Sequence, residues 1–219
     1  MPPRIAFITI GQSPRDDILP EILPLLPRDL DWREFGVMDD LSRADIAAGA
    51  AVGTEDRLVS RLRDGTEVTV GKAWLLERLQ ALIDRLDDGS YHVLVLLCTG
   101  DFGGLRSRTL LLEAQGILDG LTDALADGKR KVGIMVPLRE QKAEFSVKPL
   151  NASGIAVAHA SPYGADRLDA AVGELADSDL IVMHCLGYDE AMRSAVAQAT
   201  RKPVLLARRA LAGAIAQIL

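Results

Sequence analysis

The chain has only two cysteines, Cys98 and Cys185, in 219 residues. Two thiols make no disulfide framework, and a reducing compartment is the default expectation. Histidine is nearly as scarce: His92, His159 and His184. None stands in an HExxH pattern, no CxxC or EF-hand spacing occurs, and no metal site is expected. An excess of positive charge is also missing. The formal net charge is −6, and basic residues are scattered apart from Lys129–Lys131. Without a basic stripe, a nucleic-acid partner is not expected, nor is a basic membrane patch. No apolar run approaches the roughly 18 residues of a membrane helix. The N-terminal stretch has a short apolar run with no small-residue cleavage site after it, so it reads as a first strand and not a signal peptide. The expected location is cytoplasmic.

What is present is alternation. With 48% hydrophobic and 26% charged residues, the composition is that of a globular protein. Arg4–Ile10 is an apolar, β-branched run closed by Gly11 and reads as a buried strand. Asp16 and Asp17 suit the start of a helix that Pro24 and Pro27 keep short or kinked. Strands are predicted around Trp32–Met38, over Thr66–Val70, and over Tyr91–Cys98, Lys131–Pro137, Gly154–Ala160, Asp179–Cys185 and Lys202–Ala207. Between them, Leu75, Leu76, Leu79, Leu82, Ile83 and Leu86 fall on one helical face. Leu110–Gly128, Ala165–Leu175, Asp189–Thr200 and the last ten or so residues also read as helices. Apolar strands without polar alternation are covered on both sides, which implies parallel sheets flanked by helices. Sites in such folds lie at the carboxyl ends of strands.

The two halves resemble each other. Each opens with a base and an apolar run, continues with an Arg-containing loop, and reaches a strand ending in Cys-x-Gly. Arg4 to Cys98 spans 94 positions and Lys131 to Cys185 spans 54, so the first half is longer by 40. Met38–Trp74 accounts for most of the excess. The expectation is an α/β fold of two pseudo-symmetric Rossmann-like lobes with mainly parallel sheets. Residues 1–100 plus about 203–219 would form the first lobe, about 101–202 the second, and the cleft between them the site.

Thiols suit acid/base work, because an unperturbed pKa of about 8.5 lies close to neutral pH. A proton-transfer enzyme without a cofactor needs one such group on each face of a planar carbanion. Cys98 and Cys185 are the candidates, with Thr99, Gly100, Leu186 and Gly187 offering backbone N–H groups to a carboxylate. The alternative is packing, since free Cys is among the most buried residue types. Gly11, Gln12, Ser13 and Arg15 close the first strand. Arg15 either grips a carboxylate in a bidentate way or pairs with Asp16 or Asp17. Arg106 or Arg108 would add charge to the Cys98 loop, which fits neither the P-loop nor the dinucleotide pattern. Lys72 joins the site as a cation or is simply solvated. His184 adjoins Cys185, but neighbouring strand residues face opposite ways, so it reads as a packed histidine.

The stretches "ITIGQSPRDDI", "DGTEVTVGK", "LLCTGDF" and "HCLGY" resemble the AroM protein family, within the wider aspartate/glutamate racemase-like superfamily. The resemblance covers essentially the whole chain. It implies a substrate held between two lobes and no metal, flavin, nicotinamide or pyridoxal cofactor. The superfamily includes racemases of aspartate, glutamate and hydantoins, maleate isomerase and arylmalonate decarboxylase. In the racemases two cysteines act from opposite faces, and Cys98 and Cys185 match those positions. Amino-acid racemases usually carry Cys-Asn-Thr and Gly-Cys-Thr there; this chain has Cys98-Thr99-Gly100 and His184-Cys185-Leu186, so its substrate contacts differ. The leading expectation is a racemase or isomerase acting on a small carboxylate, with Arg15, Gln12 and Arg139 orienting the acid. Rival readings are a decarboxylase or isomerase using Cys185 alone, and a non-catalytic binding protein using the same cleft. The superfamily's frequent dimers make a homodimer an open expectation.

Overall fold

The computed structural model describes residues 3–52, 57–164 and 168–219. In it, β1 (Arg4–Thr9), β2 (Asp31–Gly36), β5 (Val93–Leu96) and β6 (Leu110–Glu113) form a parallel sheet in the order β2-β1-β5-β6. A second parallel sheet joins β7 (Lys131–Val136), β8 (Gly154–His159), β9 (Leu180–Met183) and β10 (Val204–Leu206). Read from β8, its order is β8-β7-β9-β10. The two orders are equivalent, element for element. β5 in one sheet therefore corresponds to β9 in the other.

The strands lack polar alternation because both of their faces are covered. On β1, Ile5 and Phe7 face a cluster that includes Ile18, Ile22, Val132, Ile134, Leu211 and Ile215. Ala6 and Ile8 face the opposite cluster, with Leu75, Leu79, Leu82 and Ile83 of the helix α3 (Lys72–Leu86). Fully burying an Ile, Leu or Phe contributes about 1.5–3 kcal/mol each. The first cluster takes residues from both sheets and is the seam between them. Closing it are α1 (Leu19–Ile22), α4 (Ala114–Ala126) and α8 (Ala207–Ile218), and α8 packs on both α4 and α1. The helix expected after Asp17 is α1, cut to one turn and continued by a 3-10 turn over Leu23–Leu25.

Two sequence expectations change. Leu110–Glu113 is a strand of the first sheet and not the start of a helix; a short apolar run carries no period that separates the two states. It lies beyond the boundary expected near residue 100, and β10 keeps residues up to Leu206 in the second sheet. Of the helix expected over Ala165–Leu175, residues 165–167 lie outside the described residues, and the remainder is α6 (Leu168–Leu175). The excess in the first half is a real insertion. It holds α2 (Arg43–Ala48) and an antiparallel hairpin, β3 (Arg57–Arg61) with β4 (Glu67–Gly71). The second half has α5 (Gln141–Ser146) after β7, which the sequence did not signal, and α7 (Glu190–Thr200) after β9 as expected.

Candidate active site

Cys98 and Cys185 stand just past the ends of the equivalent strands β5 and β9. Both line a single cavity of about 450 Å³, with walls drawn from both halves of the chain. The two thiol loops are built alike. The Gly100 N–H donates to the Cys98 Sγ at 3.3 Å, and the Gly187 N–H donates to the Cys185 Sγ at 3.3 Å. Both glycines are closely covered. A Cβ on Gly100 would come 2.7 Å from the Leu58 side chain, and one on Gly187 would come 2.6 Å from Pro162 and 2.7 Å from the Tyr163 hydroxyl. The loops are also tied to each other, because the Thr99 hydroxyl donates to the His184 carbonyl at 3.1 Å.

Burial pushes the Cys98 thiol up to about 12 and the Cys185 thiol up to about 11. The glycine N–H groups and the Arg15 guanidinium pull both back toward ionisation, and Arg208 adds to that pull on Cys185. Arg208, on α8 and only 3% exposed, also holds the second thiol loop by its carbonyls. Its Nε donates to the Leu186 oxygen at 2.7 Å and its Nη2 to the Gly187 oxygen at 3.0 Å. Glu21 balances its charge at 3.1 Å.

Arg15 reaches the cavity wall, but not as a free clamp. It is 4% exposed. Its Nε and Nη2 bind the two oxygens of Asp17 at 2.8 Å each, Nη2 also reaches the Tyr163 hydroxyl at 3.0 Å, and Nη1 reaches the Thr9 hydroxyl at 3.0 Å. Of the two partners considered, Asp17 is the one taken, in a buried setting and not on the surface. Burial works against the Asp17 carboxylate, yet the Arg15 pair holds its pKa below the usual range.

The other sequence candidates divide. Lys72, Thr99, Gly100, Leu186 and Gly187 line the cavity; Gly11, Gln12, Ser13 and Arg139 do not. Gln12 and Ser13 instead fasten the insertion to the end of β1. The Gln12 amide binds the Met38 carbonyl and the Arg63 N–H, and Ser13 binds Asp39 through its N–H and its hydroxyl. Gly11 is small because the Arg61 carbonyl and Ser60 pass where a Cβ would lie. Arg139 is exposed on the loop before α5. Arg108 pairs with Asp87, and Arg106 meets Gln80 through its backbone, so neither charges the Cys98 loop.

His184 is buried against the edge of Phe145, as expected of a packed histidine, and it also lines the cavity. Burial lowers its pKa, and its Nε2 lies 3.3 Å from Asp119, which also holds Lys148 at 2.7 Å. Tyr163, Asp119, Lys148 and Arg208 escaped the sequence reading. They enter through long-range contacts, with no local motif to announce them. Among the described residues no group of three or more His, Cys, Asp or Glu side chains could hold a metal ion. No helix among them is long and apolar enough to cross a membrane.

This architecture, with paired parallel sheets and a cavity at matching strand ends, is a fold shared with several solved racemases, an isomerase and a decarboxylase. Allantoin racemase from Klebsiella pneumoniae is similar over 99% of this chain and 87% of its own, with a TM-score of 0.60 and 13% identity. A maleate cis-trans isomerase variant from Nocardia farcinica, solved with a covalently bound succinylcysteine intermediate, is similar over 99% and 92%, with a TM-score of 0.57 and 16% identity. Aspartate racemase from Picrophilus torridus is similar over 98% and 94%, with a TM-score of 0.57 and 9% identity. Arylmalonate decarboxylase shares the fold as well. No curated protein matches the sequence. The chain belongs to the AroM protein family, whose model matches residues 5–219.

Proposed function

We propose that the protein is a cofactor-independent enzyme of the racemase or isomerase type, which moves a proton at the carbon next to a carboxylate with the thiols of Cys98 and Cys185. The observation that carries this reading is the meeting of the chain's two cysteines, from equivalent strands, in one cavity. We take that cavity to be the cleft between the two lobes. Cys185 is assigned as the base, because Arg208 as well as Arg15 draws it toward the thiolate. The substrate C–H bond breaks as an S–H bond forms at Cys185; the Cys98 S–H bond breaks as the new C–H bond forms on the other face. The step leaves a thiol at Cys185 and a thiolate at Cys98. The Gly100 and Gly187 N–H groups steady whichever sulfur carries the charge, and Arg15 opposes charge build-up on both. The cysteine adduct carried by the maleate isomerase relative supports thiol reactivity at such a site.

The test is solvent deuterium incorporation at the α-carbon across a panel of chiral acids. Exchange is expected with at least one acid and is abolished by Cys98→Ser and by Cys185→Ser. Exchange that survives both substitutions would sink the two-thiol mechanism.

A second reading has one specific observation behind it. Thiols raised to about 11 and about 12 are protonated at neutral pH, which suits a donor better than a base. A decarboxylase would break the C–C bond to release CO2 and quench the carbanion with the Cys185 proton. It predicts that Cys98→Ala keeps activity while Cys185→Ala loses it.

A further inference from the structure

An acid held between the thiols needs a hydrogen-bond donor for its oxygens, and the arginine nominated by the sequence is taken up by Asp17. What Arg15 does next is to hold a hydroxyl. Tyr163, on the loop after β8, lines the cavity, and its hydroxyl accepts from the Arg15 Nη2 at 3.0 Å. A guanidinium has donors and no acceptor, so the phenol proton cannot point back at Arg15. Among the described residues none accepts that proton. The other hydrogen bond of Tyr163 runs through its backbone N–H, to the Ser161 hydroxyl at 3.1 Å.

A second and independent observation puts this hydroxyl beside the second thiol. A Cβ added to Gly187 would come 2.7 Å from it, and the Gly187 N–H is the group that holds the Cys185 Sγ at 3.3 Å. Burial, and after it a charge on Cys185, pushes the Tyr163 phenol up, so it keeps its proton when the thiol gives one up. The ring is fixed as well. Arg61 of β3 lies over its face, 5.4 Å from the ring centre, and Asp17 holds Arg15 from behind. A donor fixed in this way needs no rearrangement when charge develops next to it.

We propose that Tyr163 is a third catalytic residue, whose hydroxyl, aimed by Arg15, donates a hydrogen bond to a carboxylate oxygen of the substrate on the Cys185 side of the cavity. The proposal rests on reading the cavity as the site of an acid. As the α-carbon loses its proton to Cys185, negative charge passes to that oxygen and the hydrogen bond strengthens. The phenol keeps its proton throughout. Arg15 is then a positioning residue, acting on the acid through the tyrosine.

The experiment uses the full chain with meta-fluorotyrosine at its three tyrosines, Tyr91, Tyr163 and Tyr188, and follows them by fluorine NMR. Tyr163→Phe assigns one resonance by its disappearance. The chain carrying both Cys98→Ser and Cys185→Ser, which separates binding from chemistry, is titrated with malonate, lactate and mandelate at constant ionic strength, with chloride as control. The Tyr163 resonance should shift saturably with at least one acid and stay in place with chloride. Adding Tyr163→Phe, which keeps the ring under Arg61, should weaken that acid about tenfold, the scale of a hydrogen bond to a charged group. In the cysteine-containing protein the same substitution should lower kcat for deuterium exchange about a hundredfold, the scale of removing one oxyanion donor. A packing role alone would move the urea midpoint and leave kcat and affinity as they are. A Tyr163 resonance that no acid moves overturns the assignment. Unaltered kcat and KM in Tyr163→Phe overturn it too and spare the thiol chemistry. A shifting resonance and weakened binding, with no exchange in the parent, keep Tyr163 as the donor to the acid and sink the proton-transfer reading.

Discussion

Cysteine alkylation offers a direct reading of the two thiols without knowledge of the substrate. Burial raises Cys185 to about 11 and Cys98 to about 12. At pH 7 a thiol at about 11 is ionised in roughly one molecule in ten thousand, against about 3% for an unperturbed thiol near 8.5. That is a deficit of about 300-fold in thiolate. The more basic thiolate is intrinsically the better nucleophile, with a Brønsted slope of about 0.4–0.5, which returns roughly 13-fold. Iodoacetamide should therefore modify Cys185 about 25-fold more slowly than the denatured chain at pH 7. The rate should rise tenfold per pH unit to beyond pH 9 without a plateau. Cys98 should be slowed in the same direction and by the same cause. Peptide mass spectrometry after timed quenching resolves the two sites. A plateau near neutral pH, or a Cys185 rate matching the denatured chain, would refute the claim that burial dominates over Arg15, Arg208 and the glycine N–H groups.

Asp17→Asn breaks the buried pair with Arg15 and should cost about 3 kcal/mol in urea unfolding; with that negative charge gone, Cys185 should also alkylate faster. Gly187→Ala drives a Cβ into Pro162 and Tyr163 and should cost about 1–3 kcal/mol, with loss of the Tyr163 contact to Arg15 visible in a crystal structure. Glu34 is raised to about 7 by burial although it accepts the Arg15 N–H at 2.6 Å. A carboxyl raised in the folded state favours folding fully below its unfolded value near 4.3, and that contribution is lost as pH rises through about 7. Glu34→Gln should then stabilise the protein at pH 8 by about 1–2 kcal/mol, with the gain vanishing below about pH 4, by urea midpoints across pH.

The sheets could be read from the sequence because doubly covered strands leave uninterrupted apolar runs, such as Ile5–Ile8 and Leu180–Met183. The insertion could be read too, since one half simply needed 40 more residues to reach its cysteine. Side-chain partners could not. Asp16 and Asp17 sit side by side in sequence, and only the turn of backbone into α1 decides that Asp17 meets Arg15. Tyr163 lies 148 positions from the arginine it touches, and Arg208 lies 22 from the carbonyl it holds. Leu110–Glu113 is too short to show a period, so its place at a sheet edge is set by pairing with β5 and not by its own pattern.

The two halves share a strand order, but among the described residues only the first carries a hairpin, and Leu58 of that hairpin lies over Gly100 beside Cys98. Among the described residues no counterpart of it covers the Cys185 loop, where Pro162 and Tyr163 crowd Gly187 instead. The two thiol sides of the chamber are therefore inequivalent. A molecule entering it meets a right and a left hand that differ in shape as well as charge, and cannot be turned over to exchange them.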